Sequence, residues 1–466
     1  MSEPAPQEGQ ANRHSFKPYP VYKDPGVEWL GEIPSSWECP RLRFVARLNP
    51  VKSEVRHLDP QLRVSFVPME AVGENGGLGL DVVKPIAQCL EGYTYFRDGD
   101  VVIAKITPCF ENGKGALAAG LENGVAFGTT ELHVLRAKPG LYVPFLFCLT
   151  LSDHFRRLGA AAMYGAGGQK RVPEDFIRDF RHPLPSEPEQ RAIAIFLDRE
   201  TARIDALVAK KERLIALLQE ERTALITRAV TKGLDPNVPM KASGVEWLGE
   251  IPAHWEMRRI RHVVRRIEQG WSPDCENREA DEEEWGVLKA GCVNRGVFIE
   301  SEHKALPAKL EPIPELEIGP GDLLMSRASG SRELVGSVAV VPKCRPRLLL
   351  CDKVFRLHVD AETSSPQFLG YAMNSRIARW QIEGVLSGGS GLANNIAQEV
   401  VKDLILAQPA TDEQHAIGAF LDRETARIDA LVAKVGDASE SLKELRTALI
   451  SAAVTGKIDV REEATA

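Results

Sequence analysis

The sequence predicts an α+β protein. Two α/β globular domains are separated by two long, antiparallel, coiled-coil-like helices, and the whole is a pseudo-twofold internal repeat. Three observations carry this. First, Gly26 to Glu38 reads GVEWLGEIPSSWE and Gly244 to Glu256 reads GVEWLGEIPAHWE, an offset of 218. Second, Phe196 to Lys210 reads FLDRETARIDALVAK and Phe420 to Lys434 is identical over 15 residues, an offset of 224. Third, the regions between these repeats have diverged almost completely. One scaffold is used twice to hold two different readers.

A chain of 466 residues with 44% hydrophobic content has material for two to four domains. Residues 1–18 open on the polar MSEPAPQEGQ, without an apolar signal core, and read as a disordered leader. The longest apolar run, Tyr142 to Leu151, contains a proline and is far shorter than the roughly 20 residues a membrane helix needs. A cytoplasmic location is expected. The eight cysteines show no CxxC spacing, so buried free thiols are expected rather than a metal site or disulfides.

Residues 19–188 form the first globular domain. Its GVEWLGEIP segment is too rich in Gly and Pro for a helix, and reads as a docked loop. Trp29 and Trp37, with Trp247 and Trp255 in the second copy, are its anchors, onto this chain or onto a partner. Gly99-Asp100-Val101-Val102-Ile103-Ala104 predicts a turn into a buried strand, followed by the polar loop Lys105 to Ala116. A helical stretch then leads to the loop Gly165 to Arg171. Residues 189–235 form the first spacer helix. Leu197, Ile204, Leu207, Leu214, Leu218 and Leu225 carry its stripe, seven-residue spacing interrupted at Lys211, and Gly233 stops it.

Residues 236–412 repeat the plan. Gly321-Asp322-Leu323-Leu324-Met325-Ser326 matches the first strand at offset 222, and the loops become Arg327 to Ser337 and Ser387 to Asn395. Arg258, Arg259, Arg261, Arg265 and Arg266 open this region, either as phosphate contacts or as a solvated helix face. Residues 413–460 form the second spacer helix, with Leu421, Ile428, Leu431, Leu442 and Leu449 on its stripe and Gly436-Asp437 interrupting it; 461–466 are a tail.

The sequence contains no phosphate-binding Gly-Lys-Ser/Thr loop, no GxGxxG after a strand, no GxSxG and no HExxH. Catalytic residues and metal ligands are therefore expected to be none. Asp274, Glu302 and Lys304 fit the loose nuclease pattern PD…ExK, which arises often by chance. Net charge is −7, which argues against a protein that coats nucleic acid non-specifically. Region 39–188 holds 18 Lys/Arg against 16 Asp/Glu, and 257–412 holds 20 against 22, so neither is a basic domain.

The loops carry the residue types that read base edges and phosphates: Lys105, Thr107, Asn112, Lys114, Gln169, Lys170 and Arg171 in the first half. Arg327, Ser329, Ser331, Arg332, Asn394 and Asn395 fill the corresponding places in the second. Ordinary solvated loops are the competing reading.

GVEWLGEIPSSWE, the doubled FLDRETARIDALVAK and GDVVIAKITPCFENGKGA resemble the specificity subunit of type I restriction-modification systems, over about Tyr19 to Asp459. The resemblance implies two target-recognition domains, each reading one half of a bipartite, asymmetric DNA site. It implies spacer helices that bind two modification subunits, which use S-adenosylmethionine to methylate adenine at N6. It further implies motor-nuclease subunits that use ATP and Mg to cleave DNA. The chain itself would bind no cofactor and catalyse nothing. A nuclease built on Asp274, Glu302 and Lys304, or a helical scaffold without DNA specificity, are the rival readings.

Overall fold

The computed structural model describes residues 16–165, 168–388 and 395–463. Most of the expected leader, residues 1–15, lies outside the described residues, as do Asn394 and the tail from 464. The chain forms two compact units, residues 1–212 with 437–466, and residues 213–436. The units therefore do not separate globular domains from helices. Each combines one globular domain with part of both long helices.

In unit 1 the Ala46–Leu48, Leu132–Ala137, Val101–Ala104 and Gly115–Leu117 strands form one antiparallel sheet in that order. The apolar run after Gly99-Asp100 is its fully buried strand, as the sequence predicted. A second sheet, ordered Val83–Pro85, Arg63–Val67, Val125–Gly128, Thr94–Arg97, contains one parallel pair. Unit 2 repeats the first sheet with Val264–Gln269, Val354–Val359, Leu323–Ser326 and Val338–Val340 in the same order. Its second sheet is shorter: His303–Ala305, Gly286–Leu288 and Leu348–Leu349, again with one parallel pair. Two helices follow the sheets in each unit, Val143–Leu151 and Asp153–Ala161, then Pro366–Asn374 and Arg376–Gly388.

The two long helices span Glu187–Lys232 and Thr411–Val454, each about 65–70 Å at 1.5 Å per residue. Gly436 does not break the second: one glycine costs only about 1 kcal/mol against 44 residues of continuous hydrogen bonding. The buried and half-buried seam positions alternate in steps of four and three, which is the heptad signature. In the first helix they run Leu197, Thr201, Ile204, Val208, Lys211, Ile215, Leu218, Arg222; in the second, Leu421, Thr425, Ile428, Val432, Val435, Ser439, Leu442, Arg446, Leu449.

Pairing is antiparallel in each unit. Arg446 Nε donates to Asp205 at 2.9 Å and Lys443 lies 3.7 Å from Glu212 in unit 1; Arg222 Nε donates to Asp429 at 3.0 Å in unit 2. These are the same residues at offset 224, so each repeat supplies the arginine that pairs with the other's aspartate. Leu197, Ile204, Leu421, Ile428 and Leu449 are buried, while Leu218, Leu225 and Leu442 are half-buried. Leu207, Leu214 and Leu431 are corrections to the expected stripe, being 40%, 44% and 42% exposed. Each precedes a seam residue (Val208, Ile215, Val432) by one position, and one helical step of about 100° turns it off the seam.

The tryptophan motifs dock on this chain, and each finishes a long helix. Trp37 is fully buried beside Gly456, a left-handed glycine just past the second helix, where a Cβ would sit 2.4 Å from Pro34 and 3.1 Å from Trp37. Lys457 Nζ donates to the Glu32 carbonyl at 2.6 Å. Trp255, equally buried, sits against the left-handed Gly233 that follows the first helix, and its Nε1 donates to Glu413 at 3.1 Å. Trp29 stacks on Phe180 and Trp247 lies against Trp380, at 5.2 and 5.3 Å between ring centroids.

The arginine cluster does not lie on the solvated helix face that was one of its two expected readings. Arg258 and Arg259 lie on a strand, Arg261 on a single 3-10 turn, and Arg265 and Arg266 on the next strand, so there is no helix face. All five are ion-paired: Arg258 with Glu256, Arg259 and Arg261 with Asp403, Arg265 with Asp360, Arg266 with Glu268. The eight thiols are free, but only Cys89, Cys292 and Cys351 are buried; the rest are half-buried. Among the described residues, no helix is long and apolar enough to cross a membrane.

Candidate nucleic-acid interface

In both units the first candidate loop is a hairpin between adjacent antiparallel strands. Lys105 to Lys114 joins Val101–Ala104 to Gly115–Leu117, and Arg327 to Ser337 joins Leu323–Ser326 to Val338–Val340. The described end of the second loop, Lys170 and Arg171 in unit 1 and Asn395 in unit 2, lies beside the first. Ile106 bridges Arg171 and Thr107 N–H donates to the Lys170 carbonyl at 3.0 Å; in unit 2, Ala328 bridges Asn395. The loops singled out in sequence are thus brought together in pairs.

Lys105 and Arg327 occupy the same backbone site. Lys105 N–H donates to the Glu131 carbonyl and its own carbonyl accepts from Val172. Arg327 N–H donates to the Lys353 carbonyl and its carbonyl accepts from Ile396. Three partners thus correspond at offsets of 222 to 224 while side-chain chemistry changes. Glu131 of the first rim is replaced by Lys353, and Arg171 by Asn395. Arg171 grips Glu131 in a two-pronged pair of 2.8 and 3.0 Å, and this hydrogen bonding holds the Glu131 carboxyl below the usual carboxylate range against the opposing effect of burial. Arg327 instead donates to the Asp352 carbonyl at 3.1 Å and lies 5.8 Å over the Phe355 ring.

The remaining candidates divide between presented and committed side chains. Gln169, Lys170, Asn112, Ser331, Arg332 and Asn395 are exposed. Asn112 donates to Glu74 at 3.3 Å, and Arg332 reaches the Glu383 carbonyl at 3.5 Å. Lys114 is half-buried and donates to the Met69 carbonyl, Thr107 donates to Glu111, and Ser329 Oγ accepts from Ser331 N–H. Lys114 and Arg171 therefore hold the rim in shape with the groups that would otherwise meet a ligand. Asn394 lies outside the described residues.

Sequence reasoning missed the residues that fasten the recognition domains to the helices. Gln190, fully buried at the start of the first long helix, accepts from Tyr142 N–H and donates to the Gly140 and Pro185 carbonyls. Gln414, at offset 224, accepts from Ser365 N–H and donates to the Thr363 and Pro409 carbonyls. Glu-Gln recurs after a proline-containing segment in both copies, and that was the available signal.

The nuclease pattern does not assemble into a metal-holding cluster. Lys304 lies on an outer strand, and Glu302 is 3.7 Å from Lys289. Among the described residues no three His, Cys, Asp or Glu side chains are grouped so as to hold a metal ion.

No family model matches the chain. It is 29% identical over 500 residues to the type I restriction enzyme EcoEI specificity subunit of Escherichia coli, covering 91% of this chain and 83% of that protein. It is 40% identical over 166 residues to the EcoAI specificity subunit, also from Escherichia coli, covering 35% of this chain and 28% of that one. Two solved structures share the fold over 91% of this chain. One, from a study of complex assembly and conformational transition of the type I R-M system, has a TM-score of 0.66 at 21% identity and 99% coverage. The other is the HsdS subunit from Thermoanaerobacter tengcongensis, with a TM-score of 0.51 at 19% identity and 98% coverage. With the duplicated motifs, the antiparallel helices and the paired loops, these likenesses agree: over about nine-tenths of its length the chain is similar to a type I restriction enzyme specificity subunit and shares the fold of the solved ones.

Proposed function

We propose that this chain is the DNA-reading, non-catalytic subunit of a type I restriction-modification complex. Each half reads one part of a bipartite, asymmetric site. The observation that carries this is the loop pair built twice on one backbone plan with different side chains: Lys105, Glu131 and Arg171 in one copy, Arg327, Lys353 and Asn395 in the other. Equal backbone with unequal chemistry is what reading two unlike sequences requires, because base identity is read by side chains at base edges. The near-neutral charge of both regions suits a subunit that shares its phosphate contacts with partners.

The duplicated helices dock two modification subunits, which carry S-adenosylmethionine and methylate adenine. Restriction subunits that use ATP and Mg add cleavage, and the assembly works in the cytoplasm. The test is a loop exchange. Replacing residues 105–116 by a Gly-Ser linker, in a complex with the modification subunit, is expected to alter one half of the methylated motif and leave the other intact. Loss or change of both halves together would contradict the assignment.

A further inference from the structure

Both units place an arginine beneath the candidate reading hairpin, buried in unit 1 and half-buried in unit 2, at positions related by an offset of 223. In unit 1, Arg156 on the Asp153–Ala161 helix donates through its two terminal nitrogens to the Phe110 carbonyl at 2.7 Å and the Gly113 carbonyl at 3.3 Å. Its guanidinium lies 4.9 Å over the Phe110 ring. In unit 2, Arg379 on the Arg376–Gly388 helix donates to the Val335 carbonyl, the residue before Gly336. Gly113 and Gly336 both adopt left-handed backbone, φ +79° in each, so the hairpin turns at the same place over each arginine.

The packing around them is preserved while its chemistry is exchanged. Gly159 of the unit 1 helix admits Phe110 of the hairpin, where a Cβ would sit 2.4 Å from that ring. In unit 2 the glycine is on the hairpin: a Cβ on Gly336 would sit 2.7 Å from Ile382 of the helix.

A buried guanidinium is an expensive way to hold two carbonyls. Among the described residues, the Nε of Arg156 has no hydrogen-bond partner. Burial alone pushes its guanidinium down to about 10. Arg379 has Glu383 only at 3.7 Å. Both domains retain the arrangement although their sequences have otherwise diverged.

We propose that Arg156 and Arg379 are the positioning residues of the two reading hairpins. By drawing hairpin carbonyls inward, Arg156 at Phe110 and Gly113 and Arg379 at Val335, each fixes the outward presentation of side chains on the same hairpin, Asn112 in one unit and Ser331 and Arg332 in the other. They set how sharply each half-site is discriminated without touching DNA. Preorganisation of this kind gains selectivity by removing the ordering cost from the binding step. The proposal rests on the DNA-reading function above.

The test uses the full chain with its modification subunit and reads methylated adenine across a genome. Arg156→Lys keeps the charge but cannot span the Phe110 and Gly113 carbonyls, Arg379→Lys keeps the charge but loses the planar fork aimed at the Val335 carbonyl, and thermal unfolding of each variant is measured in parallel. Arg156→Lys is expected to admit near-cognate sequences at one half-site, with discrimination there falling at least about fivefold, the low end of what one base contact is worth. The other half-site stays as sharp as before. Arg379→Lys does the reverse. Lowered thermal stability with both half-sites still sharp, or equal loosening of both half-sites by one variant, overturns the proposal and leaves the DNA-reading function standing. A wild-type complex that methylates no split motif removes that function, and the proposal with it.

Discussion

Asp205 and Asp429 are the same residue of an identical repeat, yet the structure predicts unequal costs for removing them. Asp205 accepts from Arg446, whose side chain is 9% exposed; Asp429 accepts from Arg222, whose side chain is 28% exposed. The aspartates are alike, at 55% and 57%. Asp205→Ala therefore strands a guanidinium that water scarcely reaches, losing a charged hydrogen bond of about 1.5–3 kcal/mol. After Asp429→Ala, water hydrates Arg222, and the cost falls to the surface-pair value of about 0.5–1 kcal/mol. Hydrogen exchange read by mass spectrometry on the full chain reports the local opening. At about 1.4 kcal/mol per decade, Asp205→Ala should speed exchange in 437–454 about 10- to 100-fold, and Asp429→Ala that in 213–232 about two- to fivefold. Equal acceleration, or a larger effect at Asp429, would refute the burial argument.

Gln190→Ala and Gln414→Ala each orphan three backbone groups in a buried site. Each should cost about 2–4 kcal/mol and lower the thermal midpoint of its own unit by about 5–10 °C, which calorimetry of the two transitions checks. His182 is fully buried, and burial pushes its imidazole down to about 4 despite the bond to the Pro183 carbonyl. Above about pH 6.5 neither state binds the proton; between about 6.5 and 4 only the unfolded state does, so stability falls as pH falls. Urea unfolding at pH 7 and pH 5 should differ by about 2 kcal/mol from this group, a difference that His182→Gln should remove. Lys105→Ala and Arg327→Ala should each weaken recognition of one half-site by about 1–3 kcal/mol if the side chain meets a base, and all sequences equally if it meets a phosphate; binding to matched and mismatched duplexes separates the two.

The scaffold was legible in the sequence because duplication prints it twice. A seven-residue stripe, a Trp-Pro motif and a Gly-Asp strand turn each recur at nearly constant offset, and each corresponds to one structural element. The apolar stripe was drawn too wide. Leu207, Leu214 and Leu431 match the residue type of a seam but not its angle, while Thr201, Lys211, Arg222 and Arg446 lie on the seam as polar residues that an apolar count passes over. The candidate loops were located from composition, but their pairing through Ile106 with Arg171 and Ala328 with Asn395 is a contact across about 65 residues that no local pattern encodes. The same holds for Gln190, Gln414, Arg156 and Arg379. Each acts by hydrogen bonds to backbone carbonyls, and a carbonyl has no sequence. The Arg258–Arg266 cluster shows a related gap: charge density is visible in sequence, but Asp403 and Asp360, which pair with Arg259, Arg261 and Arg265, lie about 95 to 145 residues away.

The most direct measurement is modified-base sequencing of DNA from cells that express the modification subunit, with and without this chain. The account predicts methyladenine at one split, asymmetric motif that vanishes when the chain is absent. Unchanged methylation, with the modification subunit confirmed active and expressed, would contradict it.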